Sequence, residues 1–201
     1  MLPTTVSDLL TMRASGYKMK FLFFWGHRPR HDGGIGAGCL SQWWPSPFNV
    51  DGRHYATAEH FMMWSKAMLF GDAATAATIL QAKHPSEAKA LGREVSPFDE
   101  AVWERERFGI VVSGSIAKFS QHADLRAFLL GTGNRVLVEA SPVDRVWGIG
   151  LAATDPEAGD PARWRGANLL GFALMHARHH LSTMDTGAAA DGTADVEAPT
   201  P

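Results

Sequence analysis

Apolar and polar positions change their period along the chain, and the changes mark out the elements. Lys20-Phe-Leu-Phe-Phe-Trp25 is a short, almost unbroken apolar run. Its length suits a strand and reaches about a quarter of what a membrane-spanning helix needs. The Gly-rich stretch Asp32-Gly-Gly-Ile-Gly-Ala-Gly38 follows. It lacks GxGxxG spacing and no clear helix comes after it, so it reads as a flexible loop and not as a phosphate cradle. Residues 47–50 and 53–55 flank Asp51-Gly52. Both central residues of a type I′ turn need positive φ, and this pair supplies it, so a short hairpin is predicted.

Beyond Tyr55 the apolar positions recur at helical spacing. Thr57, Asp72, Ser86, Asp99 and Asp124 stand where segments should begin, because their side chains can accept from the free amides of a first turn. Gly71, Gly92, Gly109 and Gly131 stand where segments should stop. Four or five helices are predicted there. Arg135-Val-Leu-Val-Glu139 is a compact strand candidate, and Asn168-Leu-Leu-Gly-Phe-Ala-Leu-Met175 opens a last amphipathic helix. The fold class is α+β: a helix-rich single domain over residues 20–181 with a small antiparallel β element. Residues 1–19 and 182–201 carry little apolar pattern and are expected to be poorly ordered.

Charge and cysteine usage narrow the function classes. The formal net charge is -2, without the excess of Lys and Arg that binding bulk nucleic acid requires. Cys39 is the only cysteine, so no intramolecular disulfide forms; it reads as a packing residue in a reducing compartment. No secretory leader pattern is visible. A cytoplasmic location with no membrane contact is the expectation.

Chemistry concentrates in two places. On the helix opening at Thr57, Glu59, Met63 and Lys66 are spaced i, i+4, i+7 and share a face. Glu59 and Lys66 then lie about 10 Å apart along the axis, the span of a sugar phosphate. The same spacing also fits a Glu that complements a helix start and a solvated Lys. The second place is Glu139-Ala-Ser-Pro-Val-Asp144-Arg-Val-Trp147-Gly148-Ile-Gly150. An acid, an aromatic ring and glycines after a strand compose a pocket wall where backbone approaches a ligand. They equally compose a turn in which Asp144 caps amides and Trp147 fills core. The histidines do not fit a metal: Glu59-His60 reverses the HExxH order and no second His follows at i+4.

Taken in order, Leu40-Ser-Gln-Trp-Trp44-Pro, Asp51-Gly52, Thr57-Ala-Glu-His-Phe-Met-Met63, Lys66-Ala, Ala88-Lys-Ala-Leu-Gly-Arg93, Lys118-Phe-Ser-Gln121, Leu137-Val-Glu-Ala-Ser-Pro, Trp147-Gly-Ile-Gly and Asn168-Leu-Leu-Gly resemble the NADAR, or YbiA-like, family over roughly residues 21–181. The resemblance implies an N-glycosidase that splits the bond between ribose and base in phosphoribosylamino-pyrimidine intermediates of riboflavin synthesis. The family's other activity, removal of ADP-ribose from guanine in nucleic acid, is the alternative. A non-catalytic ADP-ribose or nucleotide-binding module is the third reading. Glu59 matches the glutamate of the family's Glu-His helix, and Asp144 is a candidate second carboxylate. Hydrolysis of an N-glycoside builds positive charge on ribose, which a carboxylate stabilises. Trp44 or Trp147 can stack on the base, with Gly148 beside it; Lys66 and Arg93 can hold phosphate; Asn168 can bond ribose or fix the Trp147 loop. A small-molecule substrate is implied, with no cofactor and no metal. Arg28, Arg30 and His31 are the residues that could line a groove for nucleic acid under the alternative.

Overall fold

The computed structural model describes residues 2–191. Its elements run α1 (Val6–Ala14), β1 (Phe21–Phe24), β2 (Phe48–Val50), β3 (Arg53–Tyr55), α2 (Ala58–Leu69), α3 (Ala73–Gln81), α4 (Pro85–Glu94), α5 (Glu100–Ser120), α6 (Ala123–Gly131), β4 (Val136–Glu139) and α7 (Leu169–Asp191). The fold is helix-rich α+β, as the pattern predicts.

The β2–β3 hairpin forms as predicted, with Val50 opposite Arg53 and both Asp51 and Gly52 at positive φ. Phe48, Tyr55 and Phe61 pack beneath it, so α2 leaves the hairpin already anchored. The apolar runs 21–24 and 136–139 pair with each other in parallel, a partnership that periodicity does not announce. Both strands end at the same edge, and α7 lies against β4. Val136, Leu137 and Val138 are buried, as expected of a strand covered on both faces.

Helix α2 is the centre of the helical part and contacts α3, α4 and α5. Thr57 caps it, its hydroxyl oxygen accepting from the His60 amide. Ala58 to Met63 are all buried, so nearly every face of its first turns meets protein. Gly114 on α5 lies where a Cβ would strike the Phe61 ring, which lets the two helices approach closely.

Several expectations are corrected. Residues 1–19 contain helix α1, with Thr5 and Asp8 in a reciprocal capping box and Leu9 fully buried; Arg13 pairs with Asp160 at 2.6 Å. Residues 182–191 continue α7; the remaining residues, 192–201, of the tail expected to be disordered lie outside the described residues. His84 and His122, not Ser86 and Asp124, hold the N-cap positions of α4 and α6. Gly71 ends its segment at positive φ, but Gly92 and Gly109 sit inside helices. At Gly92 the reason is packing: an added Cβ would meet the Met63 side chain. The Gly-rich loop is closed by Arg30 N donating to Gly34 O and Gly33 N to Arg30 O.

Candidate active site

A cleft of about 700 Å³, its open mouth included, lies between α2, α4, the segment 41–43 and the loop after β4. Glu59, Met62, Met63 and Lys66 come from α2, and Lys89, Gly92 and Arg93 from α4. Trp103 of α5, Glu139 at the end of β4, Asp144, Trp147 and Leu170 complete much of the rest with Ser41, Gln42 and Trp43.

Glu59 is only 3% exposed. Its amide donates to the Gln42 carbonyl at 3.0 Å, while its Oε1 is buried without a hydrogen-bond partner. Burial pushes its carboxyl up to about 7, and the Asp144 carboxylate adds to the rise. Lys89, a hydrogen bond from Trp43 and Arg93 pull the other way. A carboxylate held at the border of ionisation is suited to exchanging a proton near neutral pH. His60, next in sequence, faces away from the cleft chemistry: its Nε2 donates to the Ala82 carbonyl at 3.1 Å and its Nδ1 takes the Thr57 hydroxyl at 2.8 Å. Burial holds its pKa below the ordinary value, so it is a neutral brace at the start of α2.

Segment 41–43 is held from below by Lys118. This lysine is 1% exposed, and its Nζ donates to Cys39 O at 2.6 Å and Ser41 O at 2.8 Å. Burial pushes its ammonium down to about 7. Cys39 itself is buried, in keeping with a packing role. Trp43 in turn contacts the rings of His27 and His84, each at 5.7 Å.

The residues singled out in the sequence divide into those the cleft gathers and those it does not. Glu59, Lys66, Arg93, Asp144 and Trp147 line it. Lys66 is tethered, its Nζ donating to Gly92 O at 2.7 Å and lying over the Phe98 ring at 4.3 Å. Asp144 is also engaged: its Oδ1 accepts from the amides of Val146 and Trp147 at 2.9 and 2.8 Å. Asp144 therefore caps amides in a turn, and the same loop forms part of the cleft wall. Trp44 is corrected: it is buried in the hydrophobic core, and the neighbouring Trp43 faces the cleft. Gly148 is a close-packing position, where a Cβ would stand 2.8 Å from Glu139 O and 3.0 Å from Asp144 O. Asn168 is fully buried at positive φ; its Oδ1 accepts from Glu139 N and its Nδ2 donates to Leu137 O, both at 3.0 Å. Its amide donates to Gly148 O, so it fixes the Trp147 loop and stays out of the cleft.

Among the cleft residues to which the sequence reading gives no role are Lys89, Trp43, Trp103 and Glu139. Lys89 was reachable, since it precedes Arg93 by four on the same helix and so shares its face. Glu139 carried a fainter signal, a lone acid at the carboxyl end of an all-apolar strand. Its side chain is largely enclosed, with Oε2 buried and unpartnered. Burial pushes its carboxyl up to about 8; Asp144 and Glu59 add to the rise and Lys89 opposes it. Among the described residues no three His, Cys, Asp or Glu side chains converge as a metal site would need, and no helix is long and apolar enough to cross a membrane.

The family model described as the NADAR domain matches residues 23–182. N-glycosidase R617 of Acanthamoeba polyphaga mimivirus is 40% identical over 164 residues, covering 79% of this chain and 95% of that protein. N-glycosidase YbiA of Escherichia coli (strain K12) is 33% identical over 136 residues, covering 68% and 76%. The NMR structure of the E. coli protein YbiA superposes with a TM-score of 0.64 at 29% identity, over 85% of this chain and 90% of that one.

Proposed function

The chain belongs to the NADAR family and is a hydrolase of N-glycosyl compounds like its curated relatives, and on that premise we propose that its cleft hydrolyses phosphoribosylamino-pyrimidines, giving ribose 5-phosphate and the free pyrimidine. The observation that carries this reading is Glu59: a buried carboxylate with an unpartnered oxygen, in a cleft that it shares with cations and indole rings.

The chemistry follows from what each group can do. As the C1′–N bond lengthens, its electron pair leaves with nitrogen and positive charge grows on the ribose ring. An ionised Glu59 stabilises that charge and takes a proton from the attacking water. Lys89 and Arg93 stand one turn apart on α4, about 6 Å along the axis. They both favour the ionised form of Glu59 and form a phosphate-binding face, with Arg93 the solvent-exposed member. Lys66 serves this face indirectly, through its bond to the Gly92 carbonyl. Trp43, Trp103 and Trp147 offer flat surfaces for the pyrimidine. Asp144 orients the Trp147 turn.

The test is a paired assay with purified protein. Incubation with 5-amino-6-(5-phosphoribosylamino)uracil is expected to release ribose 5-phosphate. No release, together with cleavage of ADP-ribosylated guanine in an oligonucleotide, would replace this substrate by the nucleic-acid one. Binding of ADP-ribose without cleavage of either would reduce the cleft to a binding module. Arg30 does not favour a nucleic-acid groove, since it pairs with Asp32 at 3.0 Å in an exposed loop.

A further inference from the structure

Hydrolysis of a ribosylamine needs a proton donor as well as a base, because an amine anion is too poor a leaving group to depart unprotonated. We propose that Glu139, at the end of β4, is that donor: the general acid that delivers a proton to the departing nitrogen while Glu59 activates water. This inference rests on the N-glycosidase reading of the cleft.

Four observations place it there. Glu139 lines the same cleft as Glu59, from a different element, the end of β4. Its backbone is pinned on both sides, the amide donating to Asn168 Oδ1 at 3.0 Å and the carbonyl accepting from Ile149 N at 2.9 Å. The side chain is therefore aimed by a fixed strand end and not by a mobile loop. Its Oε2 is buried with no hydrogen bond to spend itself on. Asp144, the other acid available, is already an acceptor for two backbone amides.

The surroundings divide the two glutamates. Glu59 and Lys66 face the cleft from α2, Lys89 and Arg93 from α4, and Asp144 from the loop. Glu59 has Trp43 and two cations favouring its charge. Glu139 has only Lys89 in its favour, against both Asp144 and Glu59. Of the pair, the surroundings of Glu59 favour the ionised form more and those of Glu139 the protonated form, a division that suits base and acid. In the step itself the C1′–N bond breaks with its electrons going to nitrogen. Nitrogen takes the Glu139 proton, water oxygen bonds to C1′, and Glu59 takes the proton that water loses. Exchange with solvent then restores both groups, so one water is consumed and no oxidant or reductant is needed.

The experiment compares Glu139→Gln with wild type on two substrates: the phosphoribosylamino-uracil and 4-nitrophenyl β-D-ribofuranoside 5-phosphate, whose nitrophenolate leaves without protonation. General acid catalysis contributes about 100- to 10,000-fold. Turnover of the ribosylamine is expected to fall at least about 100-fold, while that of the nitrophenyl riboside stays within about threefold. In wild type, kcat/KM for the ribosylamine is expected to decline above about pH 8; that alkaline limb persists in Lys66→Met and vanishes from the residual activity of Glu139→Gln. Equal losses on both substrates, or a limb that survives Glu139→Gln, would overturn the assignment. Should Glu139→Gln fail to fold, absence of the alkaline limb in wild type would overturn it alone. A wild type inert on the ribosylamine but active on ADP-ribosylated guanine refutes the substrate reading separately, and Glu139 is then judged by the same loss and limb on that substrate. Inertness on both sinks the two together.

Discussion

Replacing Gly92 by alanine adds a single methyl group at the point where α4 crosses α2. That methyl would overlap the Met63 sulfur and come within 2.9 Å of its Cγ and 3.2 Å of its Cβ. Met63 is itself buried and lines the cleft, and α4 cannot slide away freely because Lys66 holds the Gly92 carbonyl at 2.7 Å. Overpacking of this kind costs about 1–3 kcal/mol. Alanine gains about 1 kcal/mol over glycine inside a helix, so the net loss is about 0–2 kcal/mol and, at about 2–4 °C of Tm per kcal/mol for a domain of this size, a fall of up to about 8 °C is expected. Met63→Ala alone should cost about 2–5 kcal/mol through the cavity it leaves. In the double variant the new methyl occupies part of that cavity, so the two losses should sum to less than their parts by at least about 1 kcal/mol. Urea and thermal unfolding of the four proteins measures this. Because α4 carries Lys89 and Arg93, Gly92→Ala should also raise KM more than it lowers kcat. Additivity within about 0.5 kcal/mol, or a Gly92→Ala protein about 1 kcal/mol more stable than wild type, would refute the close-packing explanation for this glycine.

Three further outcomes follow from the cleft. The raised pKa values of Glu59 and Glu139, about 7 and about 8, mean that folding favours their protonated forms. Their contribution to stability is complete below about pH 4.5 and is lost as pH rises through 7 to 8. Glu59→Gln should therefore melt above wild type at pH 8.5, by an amount worth on the order of a few kcal/mol, and the gain should shrink to nothing towards pH 4.5 in a series of thermal melts. Adjacent tryptophans should separate cleanly: Trp44→Ala should lose about 3–5 kcal/mol of stability as a core truncation, whereas Trp43→Phe should keep its fold and shift the acid limb of kcat/KM upward by removing a hydrogen bond from Glu59. Unchanged pH dependence in Trp43→Phe would count against that bond. Asn168→Ala strands the Glu139 amide and the Leu137 carbonyl, so a loss of about 2–5 kcal/mol is expected in urea unfolding, accompanied by a fall in kcat if the Glu139 position matters.

What local pattern encodes was legible. The Asp51-Gly52 turn, the Thr57 cap and the shared face of Glu59, Met63 and Lys66 all depend on residues a few positions apart, and the structure shows each. The capping box at Thr5 and Asp8 is equally local, but it stands in a segment with little apolar pattern. Long-range pairing was not legible. Nothing in Phe21–Phe24 says that it lies parallel to Val136–Glu139, and without that pairing the end of β4 has no address and Glu139 no neighbour. The choice between Trp43 and Trp44 likewise depends on how Lys118 holds the carbonyls of Cys39 and Ser41, a contact made from α5. Gly92 and Gly109 show the converse error: a glycine read as a helix stop serves at Gly92 as a helix contact, which only the partner helix reveals.

The role of Glu59 is tested most directly by the rate of ribose 5-phosphate release from 5-amino-6-(5-phosphoribosylamino)uracil in wild type and in Glu59→Gln, with folding of both checked by thermal melt. Loss of a carboxylate that meets the developing positive charge is expected to lower kcat by about 100- to 1,000-fold or more while KM changes little. A folded Glu59→Gln protein that turns over within about tenfold of wild type would contradict the assignment of the reaction to this carboxylate.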